Sequence, residues 1–249
     1  MNKIKFHYTY YIISISFILT GGFLNLLVFT SLIIIHELGH YVSCLITKVN
    51  VSKIIIYPYG GITKIEDVID LEFSKELLIS ISGILFQSIY FFLIYILHQN
   101  YLIRDYTYNI FCNYHYSILI FNLLPIYPLD GSKILNIVIN KLFNFKLSNI
   151  LLIIISIINM IIMLLVYKIN YSYIMILGIL INYLYNYIKN IDYLYNRFLL
   201  EKYLYKTRYN NKKIINNYNK MYRNTNHIIK NKDKYQKEED FLLKMFDLK

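Results

Sequence analysis

The sequence HELGH at residues 36–40 follows a mostly apolar run over residues 26–35. Two histidines four residues apart lie on one face of a helix, so His36 and His40 can bind the same Zn²⁺. Glu37 can then take a proton from a water molecule that the metal activates. Because a charged residue at membrane depth costs about 2.5–3.5 kcal/mol, a chain normally keeps one there for a function. The pattern predicts a zinc-dependent hydrolytic site inside a membrane.

The best candidate for a third zinc ligand is Asp130. A catalytic zinc takes three protein ligands and leaves one position open. Two prolines just before Asp130 cannot continue a regular helix, so the chain is predicted to unwind there. Such backbone is tolerated at membrane depth only where protein buries it or it lines a wet cavity. The other acidic residues before the C-terminal tail lie at 66–76 or at Asp105.

Two segments are predicted to contact the substrate. Residues 51–66 hold two β-branched runs around a Pro-Tyr-Gly-Gly turn, which predicts a short membrane-associated β-hairpin. An edge strand there can pair with an extended peptide; a simple cytoplasmic connector is the alternative. An amide before the unwound segment can donate to the substrate backbone or to a developing oxyanion. The predicted substrate-binding residues are Asn122, Pro128, Tyr59, Gly60 and Gly61.

The composition indicates that most of the chain lies in a membrane. Of the 249 residues, 57% are hydrophobic and 16% are charged, whereas soluble domains carry about 25% charged residues. The fold class is predicted to be an all-α integral membrane protein with about six transmembrane helices. The predicted spans are residues 8–20, 22–46, 76–97, 108–126, 148–167 and 171–189. Two isolated cysteines predict neither a disulfide framework nor a metal site.

The charge distribution predicts the orientation and a second domain. Residues 189–249 hold 15 Lys and Arg against 7 Asp and Glu, a net charge of +8. With an even number of spans, this tail and the basic N-terminus both lie in the cytoplasm of a multi-pass protein in contact with the lipid bilayer. Direct nucleic-acid binding is the weaker reading, since no recognised motif accompanies the charge. The predicted domains are residues 1–190 and a small basic linker and tail, 191–249.

These motifs resemble the site-2 proteases, the intramembrane zinc metalloproteases of peptidase family M50. The HELGH sequence, YPYGG at 57–61 and NLLPIYPLDG at 122–131 are most similar to the subgroup of stage IV sporulation protein FB. The resemblance covers residues 7–205, including a linker-like sequence at 197–203. It implies six spans, zinc ligands His36, His40 and Asp130, and Glu37 as catalytic acid and base.

The resemblance also implies a role in sporulation. The expected substrate is the precursor of a sigma factor, cleaved in the mother cell under the control of regulatory membrane proteins. Ser132 stands where the family usually has a second glycine. The subgroup ends in a cystathionine-β-synthase (CBS) type domain, but only a short tail follows residue 205 here, which argues against ATP binding. Residues 226–230 and 241–243 are predicted to be a strand and a helix of a reduced version, and residues 238–240 an exposed helix start.

Two other functions stay open. A site-2 protease of another pathway would cleave anti-sigma factors or remnant signal peptides, but such members usually carry a PDZ domain, for which residues 47–75 are too few. A non-proteolytic membrane metal-binding protein, such as a transporter, would show ionisable residues in several spans. Here they concentrate in two places, which favours catalysis. His115 is predicted to be a packing residue, with a polar or proton-relay role as the alternative.

Overall fold

The computed structural model describes residues 4–57, 60–65, 69–166, 171–205, 209, 211–231 and 234–246. The helices are α1 Tyr8–Leu19, α2 Phe23–Thr47, α3 Phe73–Gln99, α4 Asp105–Leu123, α5 Asp130–Leu142, α6 Phe145–Val166, α7 Tyr171–Lys189, α8 Ile191–Tyr205 and α9 Glu238–Phe246. The strands are β1 Ile4–Phe6, β2 Val51–Tyr57, β3 Gly60–Ile65, β4 Lys212–Ile215, β5 Asn226–Asn231 and β6 Lys234–Lys237. By their contacts, residues 1–67 and 77–124 form a first unit and residues 68–76 and 125–249 form a second.

The predicted fold class is confirmed in its coarse form, because the described residues are mostly helical and several of the helices are apolar. Among the residues that the structure describes, α2, α3 and α6 are long and apolar enough to cross a membrane. Residues 173–189 and α8, which meet at a 57° bend, would make a fourth span if taken together, while α1 is apolar but shorter. α4 carries polar residues such as Asn113 and His115. The count of six spans stays a prediction.

The first unit contains a three-stranded sheet in the order β1-β2-β3. β2 and β3 pair antiparallel, as their β-branched runs predict, and β1 adds a parallel strand that the sequence analysis missed. Ile54 and Ile56 of β2 are buried, which follows from the alternation of side chains along a strand. β3 lies at one edge of this sheet. Its association with a membrane stays a prediction.

The helix α2 packs closely against α3 through glycine. A Cβ on Gly39 would overlap the backbone carbonyl oxygen of Ser82, so only glycine permits this approach. Ser43 and Ser82 join the same two helices by a hydrogen bond of 2.9 Å. Further along α2, Val28 and Leu32 pack with Phe111 of α4. Both contacts bring the buried face of α2, which carries the HELGH sequence, against its neighbours.

In the second unit, the C-terminal residues form a folded core around α8. The strands are ordered β4-β5-β6, and the residues that pack together are Phe145, Tyr195, Phe198, Leu199, Ile215, Met221, Ile229 and Leu242. The predicted strand at 226–230 and helix at 241–243 are confirmed by β5 and α9. The start of α9 is also where predicted, and Glu239 and Asp240 are exposed as expected, but the predicted exposure of Glu238 was wrong. Glu238 is buried because it pairs with His227 and Lys202, at 2.8 and 3.1 Å.

Candidate metal centre

His36 and His40 lie one turn apart on α2 and face each other through their Nε2 atoms. The two Nε2 atoms are 3.2 Å apart, and the residues are 3% and 4% exposed. Two nitrogen ligands at about 2.0–2.1 Å from a tetrahedral Zn²⁺ are separated by about 3.3 Å. The pair therefore has the spacing that a single tetrahedral ion requires.

The other nitrogen of each imidazole is held by a hydrogen bond. Nδ1 of His40 lies 2.7 Å from the carbonyl oxygen of Ile79, which only accepts, so Nδ1 carries the proton. Nδ1 of His36 lies 3.1 Å from Oε1 of Gln87. A histidine that binds a metal through one nitrogen usually donates through the other, which fixes the tautomer. In this tautomer the Nε2 atom of each ring carries the lone pair that a metal ligand requires.

Glu37 belongs to the same buried cluster. Ligand atoms of His36, Glu37 and His40 all lie within 4.8 Å of one another. Oε2 of Glu37 accepts a hydrogen bond of 2.6 Å from the hydroxyl of Thr63 on β3. A Cβ on Gly61 would overlap the Glu37 side chain, so the strand approaches this carboxylate through its backbone. β3 therefore lies directly against the candidate catalytic group.

Gly83 of α3 leaves space beside the two Nε2 atoms. A Cβ at this position would lie 2.5 Å from Nε2 of His40 and 2.7 Å from Nε2 of His36. Those distances are shorter than van der Waals contact and only slightly longer than a zinc–nitrogen bond. The residues present thus fit a metal ion, because Gly83 places no side chain beside the two Nε2 donors.

The structure confirms the predicted break before Asp130. α4 ends at Leu123, and α5 begins with Asp130, so the segment with both prolines is not helical. Asp130 is 4% exposed, and Oδ1 accepts from Nζ of Lys133 at 2.7 Å. Asp130 belongs to the second unit, and its role as the third ligand stays a prediction.

The predicted substrate-binding residues lie in different elements of the structure. Asn122 is half-buried near the end of α4, and Pro128 follows a cis peptide bond in the segment before α5. Gly60 and Gly61 lie on β3, where Gly61 meets Glu37. Tyr59 lies outside the described residues. Their roles in substrate binding stay predictions.

Three residues of the site were missed by the sequence analysis. Gln87 had a usable signal, because an amide within an apolar span is a hint of function. Gly83 had a weaker one, since small residues along a membrane helix are typical of close packing. Thr63 had none, because a threonine is common in any strand.

Comparison with known proteins supports the same assignment. Residues 24–112, which include the whole HELGH sequence, match the model of Peptidase family M50. This part of the chain is therefore similar to the M50 peptidases. Stage IV sporulation protein FB of Bacillus subtilis (strain 168) is 32% identical over 144 residues, which are 58% of this chain and 50% of that protein. The chain therefore spans about half the length of this curated relative.

A solved structure shows that the fold is shared. The Site-2 Protease from Methanocaldococcus jannaschii aligns with a TM-score of 0.54 and 22% identity. The alignment covers 77% of this chain and 91% of that one. The M50 match ends before Asp130, and the fold comparison extends further along the chain.

Proposed function

We propose that this chain is an intramembrane zinc metalloendopeptidase in which His36, His40 and Asp130 hold the metal and Glu37 is the catalytic acid and base. One observation carries the proposal. The Nε2 atoms of the two imidazoles lie 3.2 Å apart, beside the Glu37 carboxylate. The M50 family, whose members are metalloproteases, supports the same chemistry.

Hydrolysis of a peptide bond requires a proton to move from water to the leaving amine. When bound, zinc supplies acidity, lowering the pKa of water toward about 7. Glu37 removes the proton from the attacking water as the water oxygen bonds to the carbonyl carbon. It then delivers that proton to the nitrogen as the carbon–nitrogen bond breaks. Thr63 holds one carboxylate oxygen during both transfers, and Asn122 donates to the substrate carbonyl.

The edge strand β3 is the proposed docking place for the substrate. A peptide bond within a transmembrane helix is shielded by the helix's own hydrogen bonds, so the substrate must unwind before attack. An extended segment can replace those bonds by pairing with an edge strand, and β3 lies at such an edge beside Glu37. Gly60 and Gly61, which lack side chains, let a peptide approach closely; Tyr59 and Pro128 are proposed to border it.

The proposed substrate is a membrane-associated protein precursor, a sporulation sigma factor pro-protein. The similarity to stage IV sporulation protein FB supports it. By the same relationship, regulatory membrane proteins are proposed as partners that hold the activity off. The protein is proposed to be multi-pass, with both termini in the cytoplasm of the mother cell.

The proposal is tested by co-expressing the full chain with a sigma factor precursor and following the precursor's size. Glu37→Gln should abolish cleavage while the purified protein keeps its zinc, because the amide cannot take a proton. Glu239→Gln, an exposed carboxylate on α9, is the matched control and should cleave normally. Continued processing by Glu37→Gln would remove Glu37 from the mechanism.

The third ligand is tested in the same preparation by metal content. Asp130→Ala should lose both zinc and activity, because two imidazoles alone hold the ion weakly. If the variant keeps its zinc, another residue is the third ligand.

A further inference from the structure

We infer that Gln87 is a positioning residue that fixes the tautomer and ring orientation of His36, and that His115 in turn fixes the amide of Gln87. The inference rests on the proposed metal centre and assigns residues of α3 and α4 to it. These three side chains form a buried polar chain from α2 through α3 to α4.

The orientation of the Gln87 amide follows from its partners. Its Nε2 lies 3.0 Å from the backbone carbonyl oxygen of His115 and 3.3 Å from Nδ1 of the same residue. A carbonyl oxygen only accepts, so the NH₂ end of the amide must face His115. The carbonyl end then faces His36, 3.1 Å from Nδ1.

This orientation determines the protonation of His36. An amide oxygen only accepts, so Nδ1 of His36 must carry the proton and donate it. In a neutral imidazole the other nitrogen then holds the lone pair, and that nitrogen is the Nε2 that faces His40. Gln87 therefore selects the one neutral tautomer that can bind a metal at the site.

The surroundings of Gln87 and His115 explain why the Gln87 amide cannot flip and exchange its oxygen and nitrogen. Gln87 is 0% exposed and His115 is 3% exposed, so water does not offer an alternative partner. The ring of His115 stacks on Phe91 with a centroid distance of 4.2 Å and an angle of 9°. Polar side chains buried in membrane helices are costly and are kept for function. A role in helix packing alone is the competing explanation.

The experiment measures zinc affinity of the purified full chain by competition with a chelator, together with the absorption spectrum of the Co²⁺-loaded protein. Gln87→Met keeps the length of the side chain but removes the acceptor and the donors. We expect zinc to bind about 10- to 100-fold more weakly and the Co²⁺ spectrum to change, as when partners of metal-bound histidines are removed. Gln87→Glu should lose less zinc affinity than Gln87→Met, because a carboxyl oxygen still accepts from Nδ1 although the donor to His115 is lost.

A matched control tests whether the loss of any buried amide, and not of Gln87 in particular, weakens zinc binding. Asn149 of α6 is also buried, and its amide donates to the Phe145 carbonyl and accepts from Tyr187. Asn149→Met should therefore leave the zinc affinity and the Co²⁺ spectrum unchanged.

Two outcomes would overturn the inference. Native zinc affinity in Gln87→Met would show that His36 needs no partner on α3. Equal losses in the Met and Glu variants would show that packing, and not the acceptor oxygen, is what matters. A native chain that binds no zinc would instead overturn the proposed function itself, and the inference with it.

Discussion

At the scale of single residues, the candidate site depends on a missing side chain as much as on its donors. His36 and His40 could be recognised from their spacing alone, because a helix repeats every 3.6 residues. The space beside them could not, since it depends on Gly83 from another helix. A zinc site needs both the lone pairs and an open volume in front of them.

Gly83→Ala should therefore weaken zinc binding. The added methyl group would lie 2.5–2.7 Å from the two Nε2 atoms. Overpacking a tight site costs about 1–3 kcal/mol, and 1.4 kcal/mol is tenfold in affinity, so we expect a loss of about tenfold or more. The measurement is the zinc content of the purified protein against chelator concentration.

Gly178→Ala is the matched control for this substitution. A Cβ on Gly178 of α7 would meet nothing within 4 Å, so zinc binding should not change. Full zinc affinity in Gly83→Ala would mean that the metal does not occupy the volume beside Gly83.

At the scale of elements, the strand β3 and the helix α2 together position the carboxylate of Glu37, the candidate catalytic group. β3 was predicted from its β-branched sequence, but its contact with Glu37 was not, because the two residues joined by the hydrogen bond are 26 positions apart. The long apolar helices were predicted closely, since apolar runs in a membrane must satisfy their backbone hydrogen bonds internally, but the helices α5 and α8 were not predicted. The three-residue strand β1 was missed, because so short a segment has no periodicity to detect.

Thr63→Val should lower the rate of cleavage with little effect on KM. Valine keeps the shape of the side chain but cannot donate to Oε2 of Glu37, where Thr63 donates at 2.6 Å. A hydrogen bond to a charged group is worth about 1.5–3 kcal/mol, so we expect kcat to fall about 10- to 100-fold. The measurement is steady-state cleavage of a purified precursor. Thr63→Ser retains a hydroxyl and should restore most of the rate; a fully active valine variant would show that Glu37 needs no support from β3.

At the scale of the whole molecule, the C-terminal residues form a core that contains buried charges. Burial raises the pKa of Glu238, but the hydrogen bond from His227 and the charge of Lys202 outweigh it, so the net pKa lies below the usual value of 4.5. Lys202 also lies 3.7 Å from Asp70. A carboxyl group whose pKa is lower in the folded state stabilises that state above its unfolded pKa.

The second unit should accordingly lose stability in acid. The contribution of Glu238 is complete above about pH 4.5 and declines as the pH falls through the lower, folded pKa. Burial raises the pKa of Glu201, so this residue makes the folded state more stable in acid, opposite to Glu238. The effect of Glu238 is therefore measured as the difference in acid dependence between two variants. Hydrogen exchange of α9 between pH 3 and 6 should show a smaller acid dependence in Glu238→Gln than in Glu239→Gln. The same dependence in both variants would remove Glu238 as the cause.

The sequence by itself determined the chemistry of the site and most of its local geometry. The i, i+4 histidines, the adjacent glutamate, the apolar helices and the proline break before Asp130 are patterns within a few residues, and local backbone geometry converts them directly into structure. Only the tertiary structure decided what surrounds them. Gln87 reaches His36 across 51 positions, and Glu238, predicted to be exposed, is buried by partners from other elements. Such contacts depend on how elements pack against one another, and the spacing of residues along the chain does not indicate that packing.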